Sequence, residues 1–300
     1  MKYRFSRVGL AKLCGWFGVT RQAYYQQSWR DICVQVEEDL VLQEVLAIRK
    51  CHRFMGTRKL CAMLEPFMLA NGIKMGRDAL FSLLADNNLL VRKRKRRVPT
   101  TQSHHWLKKH KNLLKDLTLT HPNMAWVSDI TYWKISEHKY YYISLVTDAY
   151  SKKIVGYHVA NTLESIETIQ ALQMALGGLD KHVRGLIHHS DRGVQYCHKD
   201  YVHLLLANGI GVSMTEHGYP LENAVAERVN GILKQEYLAN VVIQNLQDAK
   251  LTLTNAVALY NQQRPHLSLG NFTPEYVHEH KIPVHRNWKN YYQKPQTVNT

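Results

Sequence analysis

Between residues 124 and 160 the chain carries three runs rich in β-branched and aromatic side chains, 124–135, 140–149 and 152–160. Only Ser136-Glu137-His138-Lys139 and Tyr150-Ser151 separate them. Breaks that short suit hairpins, so the runs are read as three consecutive antiparallel strands. Beyond residue 160, helices and strands alternate. A helix over 165–176 ends at Gly177-Gly178, a buried strand covers 185–189, and a helix over 199–207 ends at Asn208-Gly209. A short strand, 211–215, precedes a helix over 223–237. Three strands, helix, strand, helix, strand, helix is the order of an α/β layer fold with a mixed five-stranded sheet flanked by helices.

Two aspartates sit awkwardly in that scheme. Asp129 falls inside the first strand, in Trp126-Val-Ser-Asp-Ile-Thr, where an acid opposes strand propensity and must face something polar. Asp191 ends the fourth strand, in Ile187-His-His-Ser-Asp-Arg-Gly-Val-Gln-Tyr196, with Gly193 permitting a tight exit. Ligands of open α/β sheets bind at the carboxyl ends of strands. If the first and fourth strands are neighbours, the two carboxylates lie side by side, where mutual repulsion and burial oppose ionisation. A divalent cation resolves both costs. Oxygen-only ligands suit Mg²⁺ or Mn²⁺, and two such ions about 4 Å apart clamp the attacking and leaving oxygens of a phosphoryl transfer. Each aspartate also has a plainer reading, Asp129 paired with a buried arginine and Asp191 making a turn.

In the helix over 223–237, Pro220 breaks what precedes it and Asn223 is the expected N-cap. Val225, Val229, Ile232 and Leu233 share a core-facing side. Glu227 and Lys234 are placed on the opposite, polar side, with Asn230 and Gly231 between them.

The front of the chain differs in charge. Residues 1–120 hold 23 Lys and Arg against 9 Asp and Glu, a balance of +14; residues 121–300 hold 16 against 15, or +1. Such asymmetry is an electrostatic footprint for nucleic acid. Residues 10–27 are read as two short helices turning at Gly18, the second capped by Thr20. In this helix-turn-helix layout Arg21, Gln22 and Tyr25 face a groove. A third helix is expected over 38–51. A fourth, capped by Thr57, runs to residue 70, and a fifth covers 77–86. These last two form a second helix-turn-helix candidate bearing Arg58, Lys59, Lys74 and Arg77. A plain helical hairpin fits either unit equally. Arg92, Lys93, Arg94, Lys95, Arg96 and Arg97 then make an extended, phosphate-neutralising arm. The expected organisation is therefore a helix-turn-helix (1–30), a second helical DNA-binding region (31–90), a basic linker (91–120), an α/β catalytic core (121–282) and a C-terminal tail (283–300).

Five cysteines, odd in number and never Cys-x-x-Cys, suggest neither a disulfide framework nor a zinc ribbon. No run of eighteen apolar residues and no signal-peptide pattern is present, so no membrane association is expected and the cytoplasm is the expected location.

Asp129, Asp191 and Glu227, with 61 and then 35 residues intervening, resemble the DDE motif of transposases and retroviral integrases. The phrases His189-Ser-Asp-Arg-Gly-x-Gln-Tyr196, Asn223-Ala-x-x-Glu227, Leu233-Lys-x-Glu236, Tyr260-Asn-x-x-Arg264-x-His266 and Thr273-Pro274 are more specific. They resemble the second-reading-frame product of the insertion-sequence-three family. That resemblance implies a ribonuclease-H-like core that cleaves and joins DNA at element ends. It also implies Asp129, Asp191 and Glu227 as metal ligands, Lys234 on a phosphate of the element end, and upstream helix-turn-helix units on the terminal repeats. The implied partners are DNA, further copies of the chain on that DNA, and an upstream-frame protein or fusion, which in this family often supplies a coiled-coil helix; no sustained heptad is read in this chain. Two departures from the family pattern are Glu222, a competing third carboxylate, and Arg228-Val229 where Ser-Phe is common. The rival readings are a ribonuclease-H-like nuclease without strand transfer and a non-catalytic DNA-binding regulator.

Overall fold

The computed structural model describes residues 8–91, 107, 109–115, 117–137, 139–216 and 223–284. Contacts divide the chain into two compact units, Met1–Cys51 with Gly56–Val91, and His52–Met55 with Arg92–Thr300.

The first unit is helical. Helix α1 (Leu10–Trp16) ends in a turn where Gly18 has φ 67°, a left-handed conformation that glycine adopts without a Cβ penalty. Thr20 then starts α2, its Oγ1 accepting from the Ala23 amide at 3.1 Å, as expected of a cap. The expected pair of helices over 21–27 and 38–51 is instead one helix, α2 (Arg21–Cys51). Nothing between residues 28 and 37 stops a helix: the segment has no Gly and no Pro, and Gln27 Nε2 bonds Asp31 Oδ1 at 2.8 Å across the expected break. The boundary expected at residue 30 therefore falls inside a continuous element. Helix α3 (Thr57–Ala70) begins one residue earlier than a Thr57 cap would give, with Gly56 in the cap position and Thr57 inside the helix. It is followed by α4 (Arg77–Asp86). Val41 and Val45 of α2 are buried, as are Leu60, Leu64 and Met68 of α3 and Leu80, Leu83 and Leu84 of α4.

The second unit is built on one sheet. Strands β1 (Ala125–Lys134), β2 (Tyr140–Asp148) and β3 (Ile154–Ala160) form the antiparallel meander, followed by α5 (Ser165–Gly177) and β4 (Ile187–Ser190). A single turn, α6 (Val194–Cys197), leads to α7 (Lys199–Ala207) and β5 (Gly211–Met214). The sheet order is β3-β2-β1-β4-β5, with β4 parallel to β1 and β5 parallel to β4. This is the ribonuclease-H-like arrangement. Helix α8 (Ala224–Ile232) and α9 (Leu246–Gln262) cover one face with a core that includes Trp133, Ile143, Val229, Ile232 and Tyr260; α5 and α7 cover the other, around Trp126, Leu172 and Tyr201. A short helix, α10 (Pro274–His280), is capped by Thr273.

Gly156 of β3 lies so close to α5 that a Cβ there would run into the Ala171 carbonyl oxygen and come within 2.9 Å of Ala175 Cβ. Backbone cannot retreat as a flexible side chain can. Gly156→Ala is therefore expected to destabilise the protein by about 1–3 kcal/mol, read as a lower urea midpoint at unchanged slope.

Candidate catalytic site

Pleat parity places the first carboxylate. Along β1, Asp129 shares a face with Ala125 and Val127, which pack with Ala226 of α8. Asp129 therefore looks toward α8 and away from the α5 and α7 layer. Strand pairing places the second. Ser128 and Ser190 are the last level pair of the parallel β1–β4 ladder; Asp129 follows Ser128 within β1, and Asp191 follows Ser190 just past the end of β4, so both carboxylates leave the same end of that pairing. Neighbouring strands are about 4.8 Å apart, and the charge of Asp191 is felt at Asp129.

Asp129 is half-buried and its carboxyl is pushed up to about 7. Burial is the largest cause, the charge of Asp191 the next; the hydrogen bond from Asn230 opposes them, and Glu227 adds a further upward push. Asp191, also half-buried, accepts the Gly193 amide on Oδ1 at 3.0 Å. Gly193 has φ −62°, so the expected tight exit requires no left-handed residue. What it needs is room, since a Cβ there would approach Asp191 Oδ1 to 3.0 Å.

The third carboxylate comes from α8, which is tied to β1 twice. Asn223 Nδ2 donates to the Ser128 carbonyl oxygen at 3.0 Å, and Asn230 Nδ2 donates to Asp129 Oδ2 at 2.7 Å. Asn223, Glu227 and Asn230 are spaced i, i+4, i+7 and share one side of the helix. Glu227 thus lies between the two attachment points, solvent-exposed, with its carboxyl raised by partial desolvation. This corrects two expectations. Asn223 does not cap α8 through its side chain, which is spent on β1. Asn230 is buried against Asp129, so this side of the helix faces the sheet and is not a plain polar face. The helix is also not regular throughout. It passes at Leu233 into a π-helical turn, Leu233–Tyr237, closed by the Leu238 amide on the Leu233 carbonyl oxygen at 2.9 Å. The wider turn keeps Leu233 and Leu238 buried while Glu236 reaches buried Arg264, whose Nε and Nη2 bond the two carboxylate oxygens at 2.8 and 2.7 Å. Lys234, half-buried, belongs to this turn.

Beneath the aspartates, buried His188 is linked through Nε2 to Ser128 Oγ at 2.7 Å and to the Tyr201 hydroxyl at 3.0 Å, joining β1, β4 and α7. Burial, and then His189, bring its pKa down to about 3, so this floor carries no charge at neutral pH.

Sequence reasoning does not single out Asn223, Asn230, Ser128 and Tyr201 as site residues, although the Asn-x-x-x-Glu-x-x-Asn spacing is visible there. Of the expected DNA contacts, Arg21 and Gln22 are exposed in the first turn of α2. Arg92, Lys93, Arg94, Lys95, Arg96 and Arg97 lie outside the described residues, as does Glu222. Among the described residues no three His, Cys, Asp or Glu side chains form a ready-made metal site. The donor chemistry nevertheless fits a hard divalent cation. Two neighbouring carboxylates, one with its ionisation opposed by burial and by the other, gain most from a positive charge between them.

Models of the integrase core domain match residues 120–220 and 208–274, which places the catalytic unit among the DDE polynucleotidyl transferases. An insertion element IS600 protein of 31 kDa from Shigella sonnei is 35% identical over 87% of this chain and 96% of its own length. The transposase InsF of insertion sequence IS3A from Escherichia coli K12 is 32% identical over 59% of this chain and 62% of its own. The chain belongs to the insertion-sequence-three family of DDE transposases. Among solved structures, the HTLV-2 integrase catalytic core domain in complex with magnesium is 21% identical, with a TM-score of 0.42 over 53% of this chain and 97% of that one. No helix among the described residues is long and apolar enough to cross a membrane.

Proposed function

We propose that this chain cuts DNA at the ends of its insertion sequence and joins the freed ends to a target, using Asp129, Asp191 and Glu227 as its catalytic set. The observation that carries this reading is that Asp129 and Asp191 each follow the last level pair of β1 and β4, with Asp129 held near 7 largely by burial and its neighbour's charge. Asp129 and Asp191 would hold Mg²⁺ or Mn²⁺ between them. Glu227, carried between the two anchors of α8, would close the set when DNA is in place. The metal supplies activation of a water and neutralisation of phosphate charge. The protein contributes position: the Asn230 bond fixes the Asp129 carboxylate, the Gly193 amide fixes that of Asp191, and the His188 floor adds no positive charge of its own.

Lys234 is assigned to a phosphate of the element end, Arg21 and Gln22 to a groove of the terminal repeat, and residues 92–97 to sequence-blind phosphate neutralisation. Several copies act together on DNA in the bacterial cytoplasm, with or without an upstream-frame partner. The test is incubation of the chain with duplexes bearing its element ends and Mg²⁺. Joined products that vanish with chelator are expected; cut but never joined DNA favours the plain nuclease, and binding indifferent to metal favours the regulator.

A further inference from the structure

Residues His52–Met55 lie in sequence between α2 and α3, yet their contacts place them in the unit built on the sheet. The Met55 amide closes a turn on the His52 carbonyl oxygen at 3.0 Å, and both side chains are buried, His52 at 2% exposure and Met55 at 0%. Met55 fills space. His52 adds two directed bonds: Nε2 lies 3.3 Å from Gln263 Oε1, and Nδ1 lies 3.0 Å from the Tyr237 hydroxyl. An amide oxygen only accepts, so Nε2 carries the ring proton. Burial, outweighing the Gln263 bond and the charge of Glu236, lowers the His52 pKa from its usual 6.5, and the ring is neutral from pH 7 upward. Nδ1 is then an acceptor, and the Tyr237 hydroxyl donates to it. Burial raises the pKa of that phenol, which keeps its proton.

Both partners of His52 sit where the helix of the third carboxylate is held. Tyr237 is the last residue of the π-helical turn that continues α8, ten residues beyond Glu227. Gln263 is the C-cap of α9, next to Arg264, which bonds Glu236 in the same turn. The end of α9 therefore grips the π-helical turn twice, directly through Arg264 and Glu236, and indirectly through Gln263, His52 and Tyr237. One grip leaves a turn free to pivot about it; a second, one residue along, fixes its rotation. Glu227 is solvent-exposed, so its aim depends on the backbone that carries it. We propose that His52 is a positioning residue for the reaction, acting through Tyr237 to set the rotation of the π-helical turn and with it the aim of Glu227. The inference rests on Glu227 as the third carboxylate of the catalytic set. A misplacement of about 1 Å at a reacting group costs up to about a hundredfold in rate, even when its origin is remote.

The experiment compares Tyr237→Phe and His52→Ala with wild type in the full chain, by amide hydrogen exchange and by joining of element-end duplexes in Mg²⁺. Tyr237→Phe keeps the ring and removes only the donor. In both variants exchange over residues 224–238 should quicken by about tenfold, while exchange in β1 and β4 stays as it is. The kcat for joining should fall about tenfold or more with KM for the element ends unchanged. His52→Ala/Tyr237→Phe should be no slower than His52→Ala, because both substitutions break one tie. Gly156→Ala lowers stability on the α5 side of the sheet and should join at the wild-type rate well below its melting temperature. Unchanged exchange over 224–238 in Tyr237→Phe overturns the proposal, whether or not His52→Ala folds. So does a loosened turn that joins like wild type, an additive double variant, or a Gly156→Ala as slow as Tyr237→Phe. A wild type that joins no DNA sinks the catalytic reading instead, and is told apart because the exchange measurement, which needs no catalysis, still shows the tie.

Discussion

Asp129→Asn is expected to abolish cleavage and joining while making the metal-free protein more stable. The two effects come from one cause. In the folded protein the Asp129 carboxyl titrates near 7, pushed there first by burial and then by Asp191. In the unfolded chain it titrates near its usual value of about 3.9. Between those values the folded state binds more protons than the unfolded state, so its stability falls as pH rises through the window, and above about 7 the full penalty is present. Asparagine removes the charge and keeps an oxygen to accept the Asn230 amide, now bonded to Asp129 Oδ2 at 2.7 Å. The gain should be near zero at pH 4 and about 2–4 kcal/mol at pH 8, measured by thermal or urea unfolding in chelator. Adding Mg²⁺ should stabilise wild-type protein and not the variant. Strand transfer should fall by at least about a thousandfold in Asp129→Asn and in Asp191→Asn, with binding to element ends retained. For the wild type, activity should climb as pH rises through about 7, because the cation must displace a proton. A variant that is less stable at pH 8 than at pH 4, relative to wild type, would show that the carboxylate is held by a partner and not burdened by its neighbours.

Much of this site is legible in the residues alone. Asp129 stands out because an acid in a β-branched, aromatic strand has no local reason to be there, and strand order then gives it Asp191 as a neighbour. The features that stay hidden depend on long-range partners. Asn223 has the chemistry of a helix cap, and only the distant Ser128 carbonyl oxygen decides otherwise. The break expected in α2 comes from residues 28–37, where Val, Ile, Cys and Asp are middling helix formers; no stop signal is present, and the helix runs through. Local propensity is a weak prior there. The π-helical turn at Leu233–Tyr237 has no local signature either, because its partner, Arg264, lies 28 residues beyond Glu236.

That distant pair carries the largest loss of stability expected from a single substitution. Arg264 is 1% exposed. Burial opposes its charge, yet the two bonds to Glu236 outweigh that and leave its pKa raised. Its Nη1 also lies 3.0 Å from His266 Nε2. Arg264→Ala removes every one of these bonds and takes from the Glu236 carboxylate, largely enclosed in the π-helical turn, the charge that both its oxygens bond. Breaking a buried pair from one side costs about 3–5 kcal/mol, a drop of about 10 °C or so in melting temperature for a unit of this size. Removing both charges with Arg264→Met/Glu236→Leu should return most of that stability, since the desolvation cost disappears with the pair. Activity need not return with it. Glu236 sits nine residues after Glu227 on the continuous α8 and π-turn segment, so the Arg264 clamp holds the far end of the element that carries the third carboxylate. A double variant that melts near wild type but joins DNA poorly would place the clamp among the groups that aim Glu227; one that melts and joins like wild type would confine it to stability.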